Sequence, residues 1–195
     1  MKHFRNYRRY AAALLLAGAV CLAAMQAPDA RAEERVPTEQ QVKLAYLFNF
    51  AKFVEWPAGA FADPAAPIVL GVLGSDPFGS DLDALTRRTI SARKVLVRRV
   101  RGIDEARACH VLFISASEQG RAAEVLRSLK GSGALLVSDM DRFAELGGMI
   151  GFVTGNRTVG FEINIDAVAR AGITVHSRLL KMAVIVRDAS AGEDD

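Results

Sequence analysis

Cys109-His110-Val111-Leu112-Phe113-Ile114-Ser115 is the stretch that decides the fold. A short, unbroken apolar run has the pattern of a strand buried on both faces. Glu118 to about Leu129 follows as a helix stopped at Gly131, and Ala134 to Val137 as the next strand. The same alternation extends upstream. Pro67 to Leu73 reads as a buried strand ending at Gly74, Asp76-Pro77-Phe78 as the capped, proline-started opening of a short helix to about Thr86, and Val95 to Val100 as another strand. Strands alternating with helices predict an α/β domain with a mixed, mostly parallel sheet covered by helices on both faces.

Further out, Thr38 and Gln41 form a capping-box pair that opens a helix over 37–55, with Val42, Ala45, Tyr46, Asn49, Phe50 and Phe53 at helical spacing and Pro57 as its stop. Leu44, Leu47, Phe48, Phe50, Phe53 and Val54 make this helix apolar on more than one side. It is either fully buried or covers a partner. Downstream, Asp141 to Leu146 reads as a short helix before Gly147-Gly148. Met149 to Val153 and Thr158 to Ile163 flank the turn-rich Thr154-Gly155-Asn156-Arg157 and predict an antiparallel hairpin at the edge of the sheet. Asp166 to Ala171 and Ser177 to Val186 read as the last helices. Asn156-Arg157-Thr158 matches a glycosylation sequon and is read as a turn. There is no internal repeat and no linker, so residues 33–190 are expected to form one domain, with 191–195 an acidic disordered tail.

The amino end has the three parts of a secretory signal peptide. Lys2, Arg5, Arg8 and Arg9 precede the uncharged run Ala11 to Met25, and Ala30-Arg31-Ala32 supplies small residues for cleavage between Ala32 and Glu33. The run is shorter than the roughly 20 apolar residues of a spanning helix. Cys21 as a lipidation site fits poorly behind Gly18-Ala19-Val20. Residues 1–32 hold five of the 25 basic and one of the 22 acidic residues, leaving 20 against 21 in the exported part. The net charge of +3 therefore belongs to the leader, and a nucleic-acid partner gains no support from charge. Arg93-Lys94-Val95-Leu96-Val97-Arg98-Arg99-Val100-Arg101 is read as a half-buried strand with a solvated face.

Chemistry-bearing patterns are sparse. Gly74-Ser75-Asp76-Pro77-Phe78-Gly79 follows a strand, yet it has neither the glycine spacing of a dinucleotide loop nor the Lys-Ser/Thr of a P-loop. It reads as an ordinary strand-to-helix turn. Cys109, His110 and His176 are the Cys and His residues of the exported part, and the adjacent pair points to opposite faces, so no metal and no cofactor is expected. No nucleophile motif is present, and a catalytic role is not expected. Two surfaces remain. Phe53 and Trp56 mark a possible partner surface, and Glu162, an acid flanked by Phe161 and Ile163, is read either as solvent-facing or as lining a ligand pocket with His176 and Arg178.

These residues also resemble a known family. Lys43-Leu44-Ala45-Tyr46-Leu47-Phe48-Asn49-Phe50-Ala51-Lys52-Phe53-Val54-Glu55-Trp56-Pro57 is similar to the opening motif of the YfiR family. Val72-Leu73-Gly74-Ser75-Asp76-Pro77-Phe78-Gly79, Cys109-His110-Val111-Leu112-Phe113-Ile114, Leu136-Val137-Ser138-Asp139, Gly147-Gly148-Met149-Ile150, Phe161-Glu162-Ile163-Asn164 and Ser177-Arg178-Leu179-Leu180 follow in the family's order. The resemblance implies a compact α/β periplasmic regulator that dimerises, and not an enzyme. It implies restraint of an inner-membrane diguanylate cyclase of the YfiN type through its periplasmic part, with relief by an outer-membrane lipoprotein and effects on cyclic di-GMP and biofilm. The namesake type carries further cysteines that form disulfides. Here Cys109 is left without an internal partner, as a buried inert thiol, a bridge across a dimer or a reactive sensor; burial is the preferred reading. The alternative function is a periplasmic small-ligand sensor serving another membrane receptor or kinase.

Overall fold

The structure is a computed structural model that describes residues 36–155 and 158–188. The expected leader and cleavage site, Asn156 and Arg157 of the hairpin connector, and the acidic tail lie outside the described residues. From Pro37 onward the chain forms one compact unit.

Helix α1, Glu39–Lys52, is opened by the Thr38/Gln41 capping box and closed at Phe53, whose N–H reaches the Asn49 and Phe50 carbonyls. It runs into a two-residue strand β1, Val54–Glu55. Strands β2 (Ile68–Leu73), β3 (Thr89–Ile90), β4 (Arg93–Val100), β5 (Val111–Ile114), β6 (Leu135–Ser138), β7 (Ile150–Gly155), β8 (Thr158–Asn164) and β10 (Val184–Val186) make an eight-stranded sheet ordered β10-β8-β7-β6-β5-β2-β4-β3. Strand β9, Thr174–Val175, pairs antiparallel with β1 apart from it. Helices α2 (Ser80–Ala84), α3 (Ile103–Arg107), α4 (Ala122–Leu129), α5 (Ile165–Arg170) and α6 (Ser177–Leu180) complete the fold.

The core of the sheet is parallel, as the run of fully buried residues in β2, β5 and β6 requires. The β7–β8 hairpin and the β3–β4 pair are antiparallel. One face is covered by α1 and α2. Phe50 stacks on Phe152 and meets Phe161 edge-on, and Phe78, just before α2, meets Phe113 edge-on. The other face is covered by α3 and α4, which pack on each other, and by α5. Starting from β2, the chain adds β4 on one side and β5, β6 and β7 on the other, so the strand order reverses between β2 and β5.

Four expectations change. The helix after Asp76 begins later, at Ser80: the Asp76 carboxylate accepts the Phe78 and Gly79 N–H groups (2.7 and 3.2 Å) and holds an open turn first. Residues 141–147 form turns, with Phe143 driven fully into the core rather than placed on a helix face. Helix α6 ends at Leu180, and Val184-Ile185-Val186 is a strand, because the free edge of β8 supplies it with hydrogen-bond partners in parallel register. The hairpin is consequently not the edge of the sheet; β10 covers it.

Candidate functional site

Ligands of doubly wound sheets sit outside the carboxyl ends of the strands where the order reverses. Here that crevice is filled from within. Gly74 has a left-handed φ of 88°, and a Cβ there would lie 2.5 Å from Ser117 Oγ and 2.8 Å from Glu118 Cγ. Ser117 Oγ accepts the Ser75 N–H (2.9 Å), and the Glu118 carboxylate is paired with Arg121 (2.5 Å). A side-chain acid where an anion would bind leaves no phosphate cradle. At the same edge Lys43, buried on α1, reaches Glu39 (2.7 Å) and Asp139 (3.2 Å), and Asp139 also accepts the Ala116 N–H (2.9 Å). Burial lowers the Lys43 pKa, but its two carboxylates outweigh this and hold it above its ordinary value. This is a tie between α1 and the ends of β5 and β6, and sequence pattern alone does not announce it. The available signal is a lysine four residues after Glu39, in line with Leu47 and Phe50.

The opposite edge gathers the candidate residues. Trp56 Nε1–H donates to the His110 carbonyl (3.2 Å), joining the end of α1 to the start of β5. The His110 ring accepts the Val69 N–H at Nδ1 (3.1 Å) and stands 3.1 Å from the Ala60 carbonyl at Nε2. An accepting Nδ1 assigns the proton to Nε2, so the ring is a neutral donor and acceptor at once. Burial lowers its pKa, the Ala60 carbonyl opposes that, and nearby Arg93 lowers it further. Phe61 stacks on His110 at 4.4 Å between ring centroids, and the Arg93 guanidinium lies 3.9 Å from the Phe61 centroid. Arg93 also donates to the Asp63 and Ala66 carbonyls (3.0 and 2.7 Å). This column pins the loop 57–66 against the sheet. Phe61 and Arg93 are not marked by any motif; an aromatic between Pro57 and Pro64 is the signal that points to them.

On the same edge the His176 N–H donates to the Phe53 carbonyl (2.8 Å), and their rings lie 6.2 Å apart. The structure thus brings together Phe53, Trp56 and His176, with exposed Arg178 two residues further on in α6. Phe53 and Trp56 are half-buried, and His176 is exposed. Glu162 is half-buried in β8, opposite Gly151 and Val184. No hydrogen bond or ion pair among the described residues joins it to His176 or Arg178. Beside the edge lies an open cavity of about 570 Å³ lined by Pro57, Ala60, Arg107, His110 and Arg170 among others. Cys109 turns away from His110, packs 4% exposed beneath α3 with Sγ 3.6 Å from the Glu105 carbonyl, and burial pushes its thiol up to about 11. Among the described residues no three His, Cys, Asp or Glu side chains are grouped to hold a metal ion.

A family model described as YfiR/HmsC-like matches residues 40–184. The chain belongs to the YfiR/HmsC-like family. The match runs from the first turn of α1 to the start of β10, so it includes the whole Phe53–Trp56–His176 edge. Proteins of this family are periplasmic regulators rather than enzymes. No helix among the described residues is long and apolar enough to cross a membrane.

Proposed function

We propose that this protein, after removal of residues 1–32, acts in the periplasm by binding and restraining an inner-membrane signalling protein, a diguanylate cyclase, and so lowers cyclic di-GMP. Membership of the YfiR/HmsC-like family over residues 40–184 carries the reading. The aromatic edge supports it: Phe53 and Trp56 expose part of their rings on a surface braced by Arg93, Phe61 and His110, and rigid aromatic anchors suit a binding surface. Restraint needs the protein to prefer one state of its target by a few kcal/mol, with no chemistry of its own. An outer-membrane lipoprotein that competes for the same surface would release the target, and a homodimer is the expected form of the free protein.

Deletion of the gene should raise cyclic di-GMP, and the wild-type gene should restore it. Phe53→Ser and His176→Ala, which leave the His110 column intact, should complement poorly while the protein stays folded. Unchanged cyclic di-GMP in the deletion strain, with no membrane protein co-purifying, would sink the proposal. The small-ligand reading rests on the exposure of His176 and Arg178 beside Phe53. A thermal shift with nucleotides or amino acids at millimolar concentration would favour it.

A further inference from the structure

The flank of α1 at the margin of the core, the 3₁₀ turn Leu85–Arg87 and Thr89 enclose an open groove of about 950 Å³. Its lining mixes polar groups (Gln41, Asn49 and Thr89) with an apolar strip of exposed Ala45 and Ala84 and half-buried Phe48, over the core residues Leu44 and Leu85. At the carboxyl end of α1 its rim is cationic, with Lys52, Arg87 and Arg88 all exposed. Lys52 Nζ and the Arg88 guanidinium carbon stand 5.6 and 5.5 Å from the Phe48 ring centroid. None of the three cations forms an ion pair among the described residues. The acid in the lining, Asp81, accepts the Gln41 Nε2–H (3.0 Å) and keeps its charge, so the three cations of the lining stand against one carboxylate.

Lys52 and Arg88 at the Phe48 ring, with Arg87 beside them on the rim, outnumber the one carboxylate of the lining and create a local positive field. An anionic partner is what such a field selects. The concave shape narrows the partner further. A lipid surface is flat and leaves the apolar strip uncovered, whereas an α-helix about 10–12 Å across can lay one face into a groove of this kind. We infer that this groove docks an acidic amphipathic helix of a protein partner. Glu or Asp side chains of that helix meet Lys52, Arg87 and Arg88, and its apolar stripe covers Ala45, Phe48 and Ala84. The inference rests on the reading of the protein as a binding regulator, and it adds a surface other than the Phe53–Trp56 edge.

The test uses the purified protein and two labelled synthetic helices, one with leucines on one face and glutamates on the other, the second with lysines in place of the glutamates. In fluorescence anisotropy the acidic helix should bind, and binding should weaken as salt rises. Arg87→Glu/Arg88→Glu should weaken it at least ~10-fold and admit the lysine helix instead, as expected for exposed charges that set specificity. Lys94→Glu/Arg98→Glu, on β4 and outside the groove, should leave the acidic helix bound. Equal binding of the two helices, no effect of the Arg87/Arg88 reversal, or an equal effect of the Lys94/Arg98 reversal would overturn the inference. So would retention on phosphatidylglycerol vesicles without binding of the acidic helix, which makes the membrane the occupant. The cyclic di-GMP response of the deletion strain is read separately, so loss of the groove result with repression intact removes the groove alone.

Discussion

Cys109 and His110 are neighbours in sequence with opposite fates. Alternation at the entry to a strand sends one side chain under α3 and the other toward the loop 57–66, and the residue pattern by itself foretells that divergence. What the sequence does not carry is the reason Cys109 is confined so closely. Gly71, in the middle of β2, faces the same side, and a Cβ added there would lie 2.4 Å from Cys109 Sγ and 3.1 Å from Leu112 Cδ1. The thiol fills the space that a side chain at 71 would occupy. Gly71→Ala is therefore expected to cost about 1–3 kcal/mol through overpacking. The same change in a Cys109→Ala background should cost at least ~1 kcal/mol less, since residues in contact couple. Urea unfolding midpoints of the four proteins in this cycle measure the coupling, and simple additivity would show that the clash is relieved elsewhere.

At the scale of elements, the local signals are the readable ones. The Thr38/Gln41 capping box opens α1 where its residues require, and the short apolar runs of β2, β5 and β6 are strands because only a buried strand accommodates them in a chain of this length. Val184-Ile185-Val186 reads as helical from sequence because Leu179, Leu180, Ala183 and Val186 share a helical spacing. The open edge of β8 decides otherwise, and a vacant edge is a property of the sheet, invisible in the segment itself. The turn between β3 and β4 is equally silent. Ser91 and Ala92 connect Ile90 to Arg93 with positive φ at both positions, 49° and 67°. That conformation suits a tight hairpin, but Asn-Gly is the sequence that favours it. A non-glycine residue held there costs on the order of 1 kcal/mol. Ala92→Gly should accordingly stabilise the protein by up to about 1 kcal/mol, read as a raised thermal midpoint. A lowered midpoint would mean that the Ala92 methyl has a packing role that outweighs its backbone strain.

At the scale of the whole molecule, the two edges of the sheet have exchanged their usual roles. The carboxyl edge, where the strand order reverses, is closed by Ser117 and Glu118 and tied by Lys43, Glu39 and Asp139. The amino edge, ordinarily structural, carries the aromatic surface and is braced by a histidine that must stay neutral. The motif segments are visible in the sequence, but their convergence on one edge needs the topology. The brace also sets how the molecule responds to acid. Because burial lowers the His110 pKa, the unfolded chain takes up a proton near the ordinary value of 6.5 while the folded chain still resists it. The stability contributed by the neutral ring is complete above 6.5 and is lost as pH falls through the lowered folded value. Protonation would remove the acceptor for Val69 N–H and set a second cation beside Arg93. Glu39 and Asp188, both lowered by their basic or amide partners, keep their contribution until pH falls below the ordinary carboxylate range, and Lys43 loses its contribution only in strong base. Thermal midpoints should thus be level from about pH 7 to 8, fall in a first step below about 6.5 and fall again below about 4. A separate decline is expected above about 9, as the thiol of the unfolded chain ionises while buried Cys109 resists. In His110→Gln, which keeps a neutral hydrogen-bonding side chain, the second step should remain and the first should vanish; a first step that persists would place the acid sensitivity in some group other than this ring.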